Sequence, residues 1–203
     1  MTSWNTGGVP PNRMTATMYQ PLRLIGRLGW AGHDATEEVS MERVPEPRTA
    51  DERELLLGWL AFHRNALDAK CDGLSPEQLV GMSAEPSDLS LIGLVRHMTE
   101  MEYYYLAHAL AGGATTPVYC TDDEPDADLL GLTPAIVTES MERWRAQCAD
   151  ADALLASVDS LDDRSPGDGF TVRWNIVKMI QEYARHNGHA DLLRERIDGA
   201  TGE

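Results

Sequence analysis

Four long stretches of this chain place apolar residues three or four positions apart, and nothing in it reads as a strand pair. That period lines one face of a helix, and such a stripe has to be buried against another element. The first stretch follows Thr49-Ala50-Asp51-Glu52, which reads as a capping box: Thr49 accepts from an orphan N–H and Glu52 reaches back. Leu55, Leu56, Trp59, Leu60, His63 and Leu67 then mark a helix to about Lys70. Ser75-Pro76-Glu77-Gln78 is a second capping signal with proline at the first helical position, and Gly81 keeps that helix short. Ser90 opens the second long helix, with Leu91, Leu94, Val95, Met98, Met101, Tyr105 and Leu106 as its stripe and Gly112-Gly113 as its stop. Thr133-Pro134 opens the third, which runs through Ile136, Val137, Met141, Trp144, Cys148, Leu154 and Leu155 to about Val158. The fourth spans about Val172 to Ile197 and ends at Gly199. One stripe on each of four long helices predicts an all-α fold, an antiparallel four-helix bundle over residues 49–203.

Residues 1–48 differ. They hold Gly7-Gly8, Pro10-Pro11, Pro45 and Pro47, keep no period, and balance five arginines against Asp34, Glu37, Glu38, Glu42 and Glu46. This segment is expected to be a loosely ordered N-terminal extension, with Met14, Met18 and Met41 as alternative starts. The chain carries 17 Lys+Arg against 33 Asp+Glu, a net charge of −16, so the acidic excess belongs to the bundle. A nucleic-acid partner needs a basic face and an anionic membrane needs the same, so neither is expected. Cys71, Cys120 and Cys148 form no CxxC pair and point to a reducing cytoplasm rather than a disulfide framework. Arg23 and Arg27 break the apolar run Pro21 to Gly32, which excludes a signal-peptide core, and no 18-residue apolar run exists. The connection from Gly112 to Leu132, about 20 residues, is too long for a helix–helix turn and either packs as a lid or moves. Its acids, Asp122, Asp123, Glu124, Asp126 and Asp128, lack the glycine and closing glutamate of a calcium loop and read as a solvated acidic loop.

The last helix contains Glu182-Tyr-Ala-Arg-His186-Asn-Gly-His189. Four residues turn a helix through about 400°, so Glu182 and His186 lie within about 40° of each other, one turn apart. Ile176, Met179, Ile180, Tyr183 and Leu193 flank them, and a glutamate and a histidine on an apolar face are costly unless paired or metal-bound. His97, in the second stripe between Leu94 and Met101, would supply a third donor. Two histidines and one carboxylate with positions left open make a catalytic metal arrangement, and this set suits zinc, iron or nickel almost equally. An exposed Glu–His pair is the ordinary alternative for such spacing. His189 could position a substrate or support a ligand, and His63 could line the cavity or be a hydrogen-bonded core histidine. Arg185 is expected to pair with an acid, His108 to suit a helix end, and Trp59, Trp144 and Trp174 to pack between helices.

From Pro47 to Gly202 the chain resembles the DinB-like metal-binding four-helix bundles, and within them an actinobacterial branch. The resemblance rests on Arg48-Thr-Ala-Asp-Glu-Arg-Glu-Leu-Leu-Leu57, on Leu91-Ile-Gly-Leu-Val-Arg-His97, and on the run from Met179 through Glu182, His186 and His189 to Gly199. It implies one metal ligand from the second long helix and two, four apart, from the last: His97, Glu182 and His186. Many members have histidine where this chain has Glu182, whereas the related mycothiol-dependent maleylpyruvate isomerase has glutamate there. Characterised relatives are thiol transferases or isomerases using mycothiol or bacillithiol, and a few are proposed hydrolases. The resemblance therefore implies a divalent metal ion, zinc first with nickel or iron next, mycothiol as co-substrate, a small-molecule electrophile as second substrate, and a cytoplasmic homodimer. The leading expectation is thiol S-transfer or thiol-dependent isomerisation. A hydrolase using metal-bound hydroxide, with His189 or His63 shuttling protons, and a non-catalytic metal- or ligand-binding bundle are the alternatives.

Overall fold

The computed structural model describes residues 43–48, 50–113 and 116–201. The expected extension lies mostly outside these, and so does Thr49 with the capping box expected of it. Helix α1, Glu52–Cys71, is capped by Asp51, whose Oδ1 accepts from the Glu54 N–H at 2.9 Å. Glu52 pairs with Arg173 at 2.7 Å. The short α2, Pro76–Leu79, has the expected reciprocal box between Ser75 and Gln78. Ser90 Oγ accepts from the Gly93 N–H and starts α3, Leu91–Glu102.

Here the expected continuous helix is interrupted. Over Tyr103–His108 the ladder widens into a π-helical segment before α4, Ala109–Ala111, a departure that periodicity cannot register because the stripe continues through it. Gly112 closes the helix with φ +73°. Gly167 fits against its end only because it lacks a side chain: a Cβ there would lie 2.3 Å from the His108 carbonyl oxygen. Thr133 precedes the next helix but its side chain makes no cap. A 3₁₀ turn, Pro134–Ile136, leads instead into α5, Val137–Ala156. Thr171 caps α6, Val172–Asp198, and Gly199 ends it in the left-handed conformation.

Cross-helix contacts fix the directions. α6 runs the same way as α1, since Arg173 meets Glu52 at one end and Arg194 meets the Lys70 and Asp72 carbonyls at the other. α5 runs the same way as α3, with Arg96 reaching Ser140 and the α4 end flanking Leu154. The two pairs are antiparallel to each other: Arg53, at the start of α1, donates to Leu155 and Val158 at the end of α5. The connection after Gly112 must therefore travel back along α3 before α5 can begin. This accounts for its length.

All four long helices, α1, α3, α5 and α6, meet in one buried polar cluster. Arg64 forms a bidentate pair with Glu102, both bonds at 2.7 Å, and also reaches Asp152. Tyr183 donates to Glu102 at 2.8 Å and receives from the Trp144 indole at 2.9 Å. Around this cluster pack Leu60, Leu67, Leu94, Met98, Leu155, Ile176, Met179 and Leu193, all buried. Trp144 is buried as expected, but Trp174 is 40% exposed and stacks on Phe170 outside the core. Ahead of α1, the Val44 N–H donates to Asn65, and Pro47 fills the space that a side chain on Gly58 would need. No helix among the described residues is long and apolar enough to cross a membrane.

Candidate metal centre

Because α3 and α6 run antiparallel, the middle of one faces the middle of the other. His97 stands at the edge of the α3 stripe beside the buried Val95 and Met98, and Glu182 and His186 stand one turn apart on α6 beside Met179 and Tyr183. The donor atoms of the three side chains all lie within 4.8 Å of one another. The His97 and His186 rings meet edge to face at 4.7 Å between centroids. His186 Nε2 is 3.5 Å from Glu182 Oε2. All three side chains are largely but not wholly covered, with 20% of His97, 14% of His186 and 11% of Glu182 exposed.

The surroundings tune the three donors. Burial and the neighbouring His97 and His189 rings push the His186 pKa down to about 4, so its imidazole is neutral at physiological pH. Burial alone would raise the Glu182 pKa, but the Lys178 ammonium and the two imidazoles outweigh it and hold the carboxyl below its ordinary range. Lys178 pairs directly with Glu182 Oε1. A neutral imidazole and an ionised carboxylate are the ligand forms a divalent cation requires, so these donors fit one.

The expected accessory residues separate. His189 joins the cluster, its Nδ1 3.4 Å from His186 Nδ1. His63 belongs to the α1–α6 contact: the Asn187 amide donates to the His63 carbonyl at 3.0 Å, and the Trp59 and Phe62 rings pack on its imidazole. Burial lowers the His63 pKa. Arg185 is exposed and has no ion-pair partner among the described residues.

The residue missed from sequence is Asp128. Its Oδ2 lies 2.8 Å from His97 Nδ1, and it is 4% exposed while Asp122, Asp123, Glu124 and Asp126 all face solvent. One signal separated it: Leu129 and Leu130 follow it, whereas the other four acids cluster in the polar run from Thr121 to Asp126. The Cys120 thiol bonds the same carboxylate, and burial pushes that thiol's pKa up to about 11. Glu100, fully buried, fastens the connection by accepting from the N–H groups of Val118, Tyr119 and Cys120. Arg96 adds a bond to the Ala127 carbonyl at 2.9 Å and lies over the Tyr119 ring. A cavity of about 700 Å³ opens beneath this segment, lined by Arg96, Tyr119 and Leu132 among others and by none of the three donors.

The family model described as Mycothiol-S-transferase matches residues 55–199, a span from within α1 to the end of α6 that includes every residue of the cluster. A search of the curated proteins found no match.

Proposed function

Because the chain belongs to the mycothiol-S-transferase family, we propose that it is a metal-dependent enzyme joining the sulfur of mycothiol to an electrophilic carbon, at an ion held by His97, Glu182 and His186. The observation that carries this reading is the convergence of the three donors within 4.8 Å on the facing sides of α3 and α6. Three protein ligands leave a coordination position for a substrate, which a fourth protein ligand would close. Zinc is the ion proposed, because two imidazoles and a carboxylate form one of its catalytic ligand sets. Held by His97, Glu182 and His186, a divalent cation would lower the pKa of a coordinating thiol and so favour its nucleophilic thiolate form.

The chain's own residues do the rest. Neutral His186 and ionised Glu182 bind without first losing a proton. Lys178 keeps Glu182 charged and stands at the rim of the cluster. His189 touches the ring nitrogen of His186 that faces away from Glu182, so its part is to steady that ring. The three cysteines are poor competitors for the nucleophile's role: burial raises the pKa of every one, Cys71 to about 12.

The test is to purify the protein without chelator, measure bound metal by elemental analysis, and follow loss of free thiol when mycothiol and an alkylating electrophile are added. The expected result is one equivalent of divalent metal and thiol consumption that disappears in His97→Ala. A protein that takes up no metal sinks the reading. A metal-loaded protein that never consumes mycothiol with any electrophile sinks its thiol-transfer part.

A further inference from the structure

We propose that Asp128 is a positioning residue of this site: by accepting a hydrogen bond from His97 Nδ1, it fixes the ring and leaves Nε2 as the nitrogen that faces the ion. The inference rests on the three-donor reading of His97, Glu182 and His186.

An imidazole has two nitrogens, and only one can carry the proton while the other ligates. An ionised carboxylate accepts and cannot donate. At 2.8 Å from Asp128 Oδ2, His97 Nδ1 is therefore the protonated nitrogen, and Nε2 keeps its lone pair. Carboxylates placed behind ligating histidines act in this way, orienting the ring and raising its basicity.

The fold goes to some length to deliver this carboxylate. Asp128 does not come from the bundle but from the connection that runs back along α3. Glu100 is one turn beyond His97 on the same helix and anchors that connection through three backbone N–H groups. Arg96, beside His97, grips the carbonyl of Ala127, the residue before Asp128. The Cys120 thiol occupies part of the same carboxylate, so the aspartate is restrained from two sides. A loop serving only to link two helices has no need to bury a charged group against a histidine, since burial of a carboxylate is costly.

Two measurements test this. In metal-free protein at pH 8, long-range proton–nitrogen correlation of the histidine rings should show His97 protonated at Nδ1, and in Asp128→Asn that preference should weaken or reverse. Cobalt(II) and zinc titrations should then show Asp128→Asn and Asp128→Ala binding metal about 10–100-fold more weakly than the unaltered chain, with an altered cobalt absorption spectrum. Asp128→Glu should recover part of the affinity. His97 protonated at Nε2 in the unaltered protein overturns the inference even if the variants fail to fold. So does a folded Asp128→Asn that binds cobalt with unchanged affinity and spectrum; its lower melting temperature would mark Asp128 as a loop fastener. Those outcomes leave the three-donor reading standing. If the unaltered chain takes up neither metal while remaining folded, that reading fails and this inference falls with it.

Discussion

His186 is neutral because of where it sits: burial and two flanking imidazoles bring its pKa down to about 4, well under the ordinary histidine value. A ring that needs no deprotonation is ready to ligate, and His97 faces it across the helix contact at 4.7 Å. Single changes His97→Ala and His186→Ala should each reduce bound metal to background by elemental analysis, with an unchanged helical circular-dichroism spectrum. Their metal-free forms should lose less stability in urea than Leu94→Ala, a fully buried truncation expected to cost about 2–5 kcal/mol. Cys120 offers a residue-scale test of the electrostatics around Asp128. Its pKa of about 11 leaves it almost entirely protonated at neutral pH. Since the thiolate is the reactive form, iodoacetamide labelling of Cys120 followed by mass spectrometry should be roughly tenfold or more slower at pH 8 than for free cysteine. Raising the pH should then increase the rate about tenfold per unit up to pH 10, where an ordinary thiol has already levelled off. A plateau near pH 9 would contradict the environment described.

The connection between α3 and α5 is the element whose sequence says least about its role. Composition makes it a polar loop, and four of its acids do face solvent. Its order comes from outside itself, from Glu100 on α3, whose carboxylate gathers three consecutive N–H groups. Hydrogen bonds to a buried charge are worth about 1.5–3 kcal/mol each when made, so Glu100→Ala should release this segment while leaving the helices intact. Hydrogen exchange is the measurement: the Val118, Tyr119 and Cys120 amides should lose protection in the variant, and those of α5 and α6 should keep theirs. Equal protection in both proteins would show that the segment is held by something other than Glu100. The π-helical segment at Tyr103–His108 was similarly unmarked, because the apolar stripe of Met101, Tyr105 and Leu106 runs on through it.

At the scale of the whole bundle, the buried Arg64, Glu102, Tyr183 and Trp144, with Asp152 at their exposed edge, link the four long helices in a ring, α1 to α3, α3 to α6, α6 to α5 and α5 back to α1. Breaking one side of such a pair strands the other charge away from water. Arg64→Met should therefore destabilise the protein by about 3–5 kcal/mol in urea denaturation. Adding Glu102→Leu should win part of that back, because the stranded carboxylate is then gone. A single variant as stable as the parent would mean that the Arg64–Glu102 pair adds no net stability. The same cluster fixes which helices face each other, and so sets His97 opposite His186. A distant core change can thus loosen the site without touching a ligand.

Sequence by itself determined the four helices, most of their ends and the pair on α6. Capping by Ser75, Ser90 and the Gly199 stop are local chemistry, and Glu182 with His186 share a face by helical geometry alone. Arg64 and Glu102 were not singled out, because a charged residue on a helix reads first as part of its solvated face. Only the tertiary structure decided which stripe faced which. Periodicity gives each helix a buried side but no direction relative to its neighbours, and direction is set by how the connections run and how the polar core pairs. That arrangement brought His97 to the Glu182–His186 pair and sent His63 to Asn187 instead. It also turned one acid of a solvated-looking loop, Asp128, inward onto His97, a contact between residues 31 positions apart that no local pattern encodes.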